Sequence, residues 1–162
     1  MDYTAAVLTV SDSAAQAKRE DLSGPAVRAA LEVKGYRVVT TELVRDDQSG
    51  IEVSLMQLCD KAQLVVTTGG TGIAERDVTP EATRRVADKI VDGIAERMRL
   101  EGALKTPYAV LSRGICAVRG RSVILNLPGS PTAATESLAA VIDILPHALE
   151  LLAGNTSHAG HH

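Results

Sequence analysis

The chain predicts an α/β domain in three layers: a mostly parallel sheet with helices on both faces and one short β-hairpin. Three observations predict it. Strand-like and helix-like segments alternate along the chain with short connections. Leu64–Thr68, "LVVTT", starts as a continuous apolar run, which suits a parallel strand covered on both faces. "ICAV" and "SVILNL" flank Arg119-Gly120-Arg121, which reads as a hairpin turn.

Each element has its own warrant. Ala5–Val10 is a short apolar strand, and the polar loop "SDSAAQAKREDLSG" follows it. Pro25–Lys34 reads as a helix with Val27, Ala30 and Leu31 on one face, Ser23 as N-cap and Gly35 as its terminator. Tyr36–Val44 is rich in β-formers and is broken by "RDDQSG". Ile51, Leu55, Leu58, Cys59 and Ala62 recur at helical spacing before the strand at Leu64. Pro80–Val91 reads as a helix, with Thr79 as N-cap and Pro80 at the first helical position. A second helix covers Ile94–Leu104, and "YAVLS" reads as a strand. The last helix begins near Thr132 and carries an apolar stripe from Ala134 to Leu152, which Pro146 must kink or split.

The bulk properties bound the function. With 162 residues, 45% hydrophobic and 23% charged, the chain is sized for one soluble domain. Residues 1–154 are taken as that domain, and 155–162 as a polar tail expected to be disordered. His158, His161 and His162 in that tail are expected to belong to a flexible end rather than a metal site. Three Tyr with no Phe or Trp leave an aliphatic core and no stacking platform for single-stranded nucleic acid. A net charge of −3 lacks the basic footprint of a nucleic-acid binder. Cys59 and Cys116 each sit in an apolar run, as small buried hydrophobes of a reducing compartment do. The N-terminus "MDYTAAVLTV" shows neither signal peptide nor membrane span, so the expected location is cytoplasmic.

In parallel sheets, ligands bind beyond the carboxyl ends of the strands. That rule selects the loops Ser11–Ser23, Arg45–Gly50, Thr68–Thr79 and Pro128–Thr132. The third, "TGGTGIAERDVT", has no lysine where a P-loop needs one and no third glycine where a dinucleotide fingerprint needs one. Gly69, Gly70 and Gly72 still let backbone N–H groups surround an anion, and Thr71 adds a hydroxyl. A tight strand-to-helix turn explains the same glycines equally well. Asp77, five residues past Gly72, shifts the balance. A carboxylate beside a phosphate is repulsive unless a cation lies between them, and Mg2+ bridges such oxygens. Asp46 and Asp47 occupy the preceding loop, so Asp46 and Asp77 could face one cavity; a solvated turn is the plainer account of "RDD". Pro128, Gly129, Ser130 and Pro131 form a rigid turn with a hydroxyl at the start of a helix.

Taken together, "VSDS", "DD", "TTGGTG", "RDVTPEAT" and "LNLPGSP" resemble the MogA/MoaB family of molybdenum cofactor biosynthesis, in order and spacing, from Tyr3 to Gly154. The resemblance implies a molybdopterin-binding fold, usually trimeric, and Mg2+-dependent transfer of AMP from ATP to the terminal phosphate of molybdopterin. It implies hand-over of the product to a molybdate-insertion enzyme. The essential aspartates of the family fall on Asp46 and Asp77, which would also hold the metal. Substrate binding falls on Ser11, Asp12, Gly69, Gly70, Thr71, Gly72, Arg76, Pro128, Gly129 and Ser130. Arg45 stands where the family often has Pro, and Ala17 where it often has Gly. The alternative is a molybdopterin-binding or carrier paralogue without adenylyl transfer. Molybdenum and tungsten pathways are not distinguished by these residues.

Overall fold

The computed structural model describes residues 2–156. Six strands run β1 (Thr4–Val10), β2 (Arg37–Val44), β3 (Leu64–Thr68), β4 (Lys89–Ile90), β5 (Cys116–Arg119) and β6 (Ser122–Leu127). Their order in one sheet is β2-β1-β3-β6-β5-β4. The first four in that order are mutually parallel, and the hairpin puts β5 antiparallel to β6, with β4 antiparallel to β5. The predicted hairpin is therefore present, turning at Gly120 with φ of 57°.

Helices cover both faces because strand side chains alternate. Ala5, Val7, Leu64 and Val66 face α2 (Ser23–Val33), α5 (Asp92–Ala103), α6 (Pro131–Val141) and α7 (Leu145–Leu152). Ala6, Leu8, Val10, Val65 and Ile124 face α3 (Gln48–Cys59) and α4 (Thr79–Val86). Fully buried leucines and isoleucines dominate both layers, each stabilising by about 1.5–3 kcal/mol relative to exposure. Pro146 splits the C-terminal stripe into α6 and α7, as its missing N–H requires. Cys59 and Cys116 are free thiols, and burial pushes them up to about 11 and 12, so both stay protonated and inert.

Four local expectations fail, each for a tertiary or capping reason. The helix from Pro80 ends at Val86 instead of Val91. Lys89 and Ile90 pair with the hairpin instead, flanked by Asp88 N–H donating to Val118 O (2.7 Å) and Val91 N–H to Cys116 O (2.8 Å). "YAVLS" is no strand: Pro107–Leu111 forms a 3₁₀ turn, capped by Thr106, whose Oγ1 accepts from Tyr108 N–H. Ser23 is the first residue of α2 and not its cap; the capping acceptor is Asp21, which takes the Gly24 N–H at 2.9 Å. Thr79 is likewise inside α4, and its hydroxyl is used elsewhere. The loop after β1 also folds a short helix, α1 (Asp12–Ala15), before Ala17 takes a left-handed φ of 56°. The histidines of the tail lie outside the described residues.

One buried side chain joins the layers beneath the site. Asn126 on β6 is 1% exposed. Its Nδ2 donates to Thr67 Oγ1 on β3 (3.1 Å) and Thr83 Oγ1 on α4 (3.0 Å), while Oδ1 accepts from Ile115 N–H (3.2 Å). In Asn126→Leu, Thr83 Oγ1 keeps its bond to Thr79 O, but Thr67 Oγ1 and the Ile115 N–H both lose their Asn126 partner. The expected cost is about 2 kcal/mol, read as a lowered urea midpoint at unchanged slope.

Candidate active site

The carboxyl ends of β1, β2, β3 and β6 deliver the four predicted loops to one edge of the sheet. The chain turns from β1 outward to β2 but then crosses to β3 on the other side, so a crevice opens beyond Val10 and Thr68. A cavity of about 310 Å³ occupies it.

The glycine turn shapes its floor. Gly69 and Gly70 both have positive φ, 101° and 70°. A Cβ on Gly69 would collide with the Val10 carbonyl oxygen, and one on Gly70 with Thr79 Oγ1. Only glycine fits this close approach. Gly69 N–H donates to Leu127 O (3.1 Å), continuing the β3–β6 ladder into the turn. Thr79 then locks the other side: its Oγ1 donates to Gly69 O (3.0 Å) and its N–H to Gly70 O (3.1 Å).

Asp46 and Asp77 both line this cavity. Asp46 sits between β2 and α3 in a reciprocal clasp with Asp12. Asp12 N–H donates to Asp46 Oδ2 (3.0 Å), and Asp46 N–H donates to Asp12 Oδ1 (2.9 Å). Asp77 Oδ2 accepts from Ala74 N–H (3.0 Å), which curls its loop back on itself. The neighbouring Asp47 has a different task, capping α3 by accepting from Gly50 N–H. Arg45, which replaces the expected Pro, brings its Nε to 4.0 Å from Asp12 Oδ1 and is largely exposed.

Burial pushes the Asp46 carboxyl above the ordinary aspartate range, and the Asp12 and Asp77 carboxylates add to the push. The Asp12 N–H and the Arg76 charge oppose it without cancelling it. The cavity lining holds five acidic residues, Asp12, Glu20, Asp21, Asp46 and Asp77, against two arginines, Arg19 and Arg76. Such a lining repels a polyphosphate unless a divalent cation intervenes. The carboxylates of Asp46 and Asp77 are the donor chemistry Mg2+ takes. Among the described residues, no group of three or more His, Cys, Asp or Glu could hold a metal alone. A magnesium ion here would therefore complete its shell with phosphate oxygens and water, its usual habit.

The predicted site residues divide between two cavities. Ser11, Asp12, Asp46, Gly69, Gly70, Arg76, Asp77, Gly129 and Ser130 line the first. Thr71, Gly72 and Pro128 line a second cavity of about 350 Å³, and Gly129 lines both. The second is walled by Met98, Tyr108 and Leu111, with Arg99, Ser112, Asn126 and Glu136 among its polar groups. Ser11 and Ser130 spend a lone pair as helix caps, accepting from Ala14 and Ala133 N–H. The sequence reading missed Arg113, Ser112, Tyr108 and Asp21. The first three lie in or next to the segment misread as a strand, so no local signal marked them.

The family model described as "Probable molybdopterin binding domain" matches residues 6–147. The chain belongs to this family. A molybdopterin adenylyltransferase of Helicobacter pylori (strain J99) is 43% identical over 153 residues, covering 92% of this chain and 87% of the relative. The crystal structure of the molybdopterin biosynthesis enzyme MoaB from Thermus thermophilus superposes with a TM-score of 0.89 at 49% identity, covering 94% of this chain and 97% of that one. The tungsten cofactor synthesizing protein MoaB from Pyrococcus furiosus superposes at 0.86 with 33% identity, covering 93% and 97%. The family resemblance and the α/β fold both hold.

The raised Asp46 carboxyl has a signed consequence. A group that binds its proton more tightly folded than unfolded weakens the fold as pH rises through its folded pKa. Ionised Asp46 thus costs stability at neutral pH. In magnesium-free buffer at pH 7, Asp46→Asn is expected to melt above the native protein, and the gap to close as pH falls into the carboxylate range. Scanning calorimetry at several pH values checks this; an Asn variant that melts lower at pH 7 contradicts it.

Proposed function

We propose that this chain is a molybdopterin adenylyltransferase, transferring AMP from ATP to the terminal phosphate of molybdopterin with release of pyrophosphate. One observation carries the reading: a single glycine loop divides two cavities, Gly69 and Gly70 facing the one that holds Asp46 and Asp77, Thr71 and Gly72 facing the other. The relatives named for this activity support it, and they do not favour a pterin carrier without transferase activity.

In this reading the acidic cavity takes ATP and the more apolar one takes the pterin. Its 350 Å³ is at the lower end of volumes for small-molecule sites, and its aromatic and thioether wall suits a flat heterocycle. The two substrates then meet at Gly129 and the glycine loop. Asp46 and Asp77 would hold Mg2+, which would supply neutralisation of phosphate charge. Asp12 orients Asp46 through the backbone clasp, and Ala74 N–H orients Asp77. Gly69 and Gly70 line the cavity that would take the transferred phosphate, and Arg76 would add positive charge there. The attacking pterin phosphate is already anionic near neutrality, since its second pKa is about 6, so no general base is needed. Adenylyl transfer is then chiefly positioning and charge neutralisation.

The same reading includes a homotrimer, a cytoplasmic location and hand-over of the adenylylated pterin to a molybdate-insertion enzyme. Among the described residues, no helix is long and apolar enough to cross a membrane.

Asp77→Asn is expected to lose ATP- and Mg2+-dependent pyrophosphate release by about a hundredfold or more while molybdopterin binding persists. Turnover with ATP and Mg2+, alongside pterin binding followed by fluorescence, tests both halves. Unchanged pyrophosphate release would remove Asp77 from the chemistry.

A further inference from the structure

Arg113 lines neither cavity, yet it bonds to residues of both. It follows the 3₁₀ turn, and its neighbours Ser112 and Gly114 both line the second cavity. Its own N–H donates to Thr71 O at 2.8 Å. Its guanidinium Nε donates to Gly72 O and its Nη2 to Asp77 O, each at 2.8 Å. The far edge of the fork meets Glu81 on α4: Nη1 to Oε2 at 2.6 Å and Nη2 to Oε1 at 3.2 Å. One side chain therefore ties both ends of the loop 71–77 to the helix that follows it.

The loop between those ties is exposed from Ile73 to Arg76 and is held by little else. Its internal bonds are Asp77 N–H to Ala74 O (2.9 Å) and Ala74 N–H to Asp77 Oδ2 (3.0 Å). Asp77 presents its carboxylate to the acidic cavity only while its backbone stays put, and Arg113 grips that backbone directly. The planar fork is essential to this arrangement. A lysine offers the same charge as a single point and cannot reach Gly72, Asp77 and Glu81 in fixed directions. Because water can replace the lost donors at an exposed loop, losing Arg113 should cost geometry more than folding.

We infer that Arg113, braced by Glu81, is the positioning residue that sets Asp77 for transfer. The inference rests on the proposed adenylyl transfer. Its test uses the full chain carrying Arg113→Gln, Arg113→Lys, Glu81→Gln or the double change Arg113→Gln with Glu81→Gln. For Arg113→Gln, kcat should fall by about a hundredfold with KM for molybdopterin near the native value and the Mg2+ half-saturation raised. Arg113→Lys should not restore kcat. Glu81→Gln should give a smaller loss, and the double variant should be no worse than Arg113→Gln alone, because the two residues act as one unit. Hydrogen exchange supplies a readout independent of turnover: amides of Ala74, Asp77 and Thr79 should exchange at least about tenfold faster in Arg113→Gln, with β3 unchanged. Native kcat and Mg2+ dependence in Arg113→Gln, or full rescue by lysine, would overturn the role while leaving the transferase reading intact. If the native protein transfers no AMP, that reading falls, and unchanged loop exchange in Arg113→Gln then overturns the positioning role by itself. Should Arg113→Gln not fold, Arg113→Lys and Glu81→Gln decide by the same measurements.

Discussion

The site depends on how closely three backbones can approach at the end of β3. Gly69 is pressed against the Val10 carbonyl on one side and toward Gly129 on the other, where an added Cβ would reach Gly69 Cα at 3.4 Å. Its N–H and carbonyl are both engaged, by Leu127 O and Thr79 Oγ1. Thr79 O in turn accepts from Thr83 Oγ1 at 2.8 Å, and Thr83 accepts from Asn126. A buried relay thus runs from β6 through α4 to the glycine turn. The turn is rigid because nearly every polar group beneath it has a partner, and a rigid turn is what an anion site needs.

Charge at the site works against the fold. Asp12, Asp46 and Asp77 face one partly buried space, and burial leaves Asp46 harder to ionise than an ordinary aspartate. The clasp between Asp12 and Asp46 lessens the cost without removing it. A lining chosen for stability would not gather five acidic side chains against two basic ones. Under the proposed function, that imbalance would be met by a cation and a polyphosphate, with stability given up for function.

The sequence allowed much of this to be read, and the reason is locality. Strand and helix periodicity follows from which faces are buried, so β1, β2, β3, the hairpin and the split at Pro146 were legible. Gly69, Gly70 and Asp77 share one short loop, so their placement at one cavity edge followed from their spacing. The reading went wrong where a local pattern had two outcomes. Val86–Val91 contains good helix and strand formers alike, and the free edge of the hairpin decided in favour of a strand at Lys89–Ile90. "PYAVL" is rich in apolar residues, but Thr106 and Pro107 started a 3₁₀ turn there instead.

By itself the sequence determined the α/β class and the family and nominated candidates for the chemistry, since these depend on residue type, order and short-range spacing. The tertiary structure alone decided which of them meet. It divided "DD" into a cavity carboxylate and a helix cap, and it assigned Gly70 and Thr71 to different cavities. It also brought Arg113 onto a loop 36 residues earlier in the chain. Hydrogen bonds across such separations form only when the sheet has set its strand order, so no local pattern could announce them.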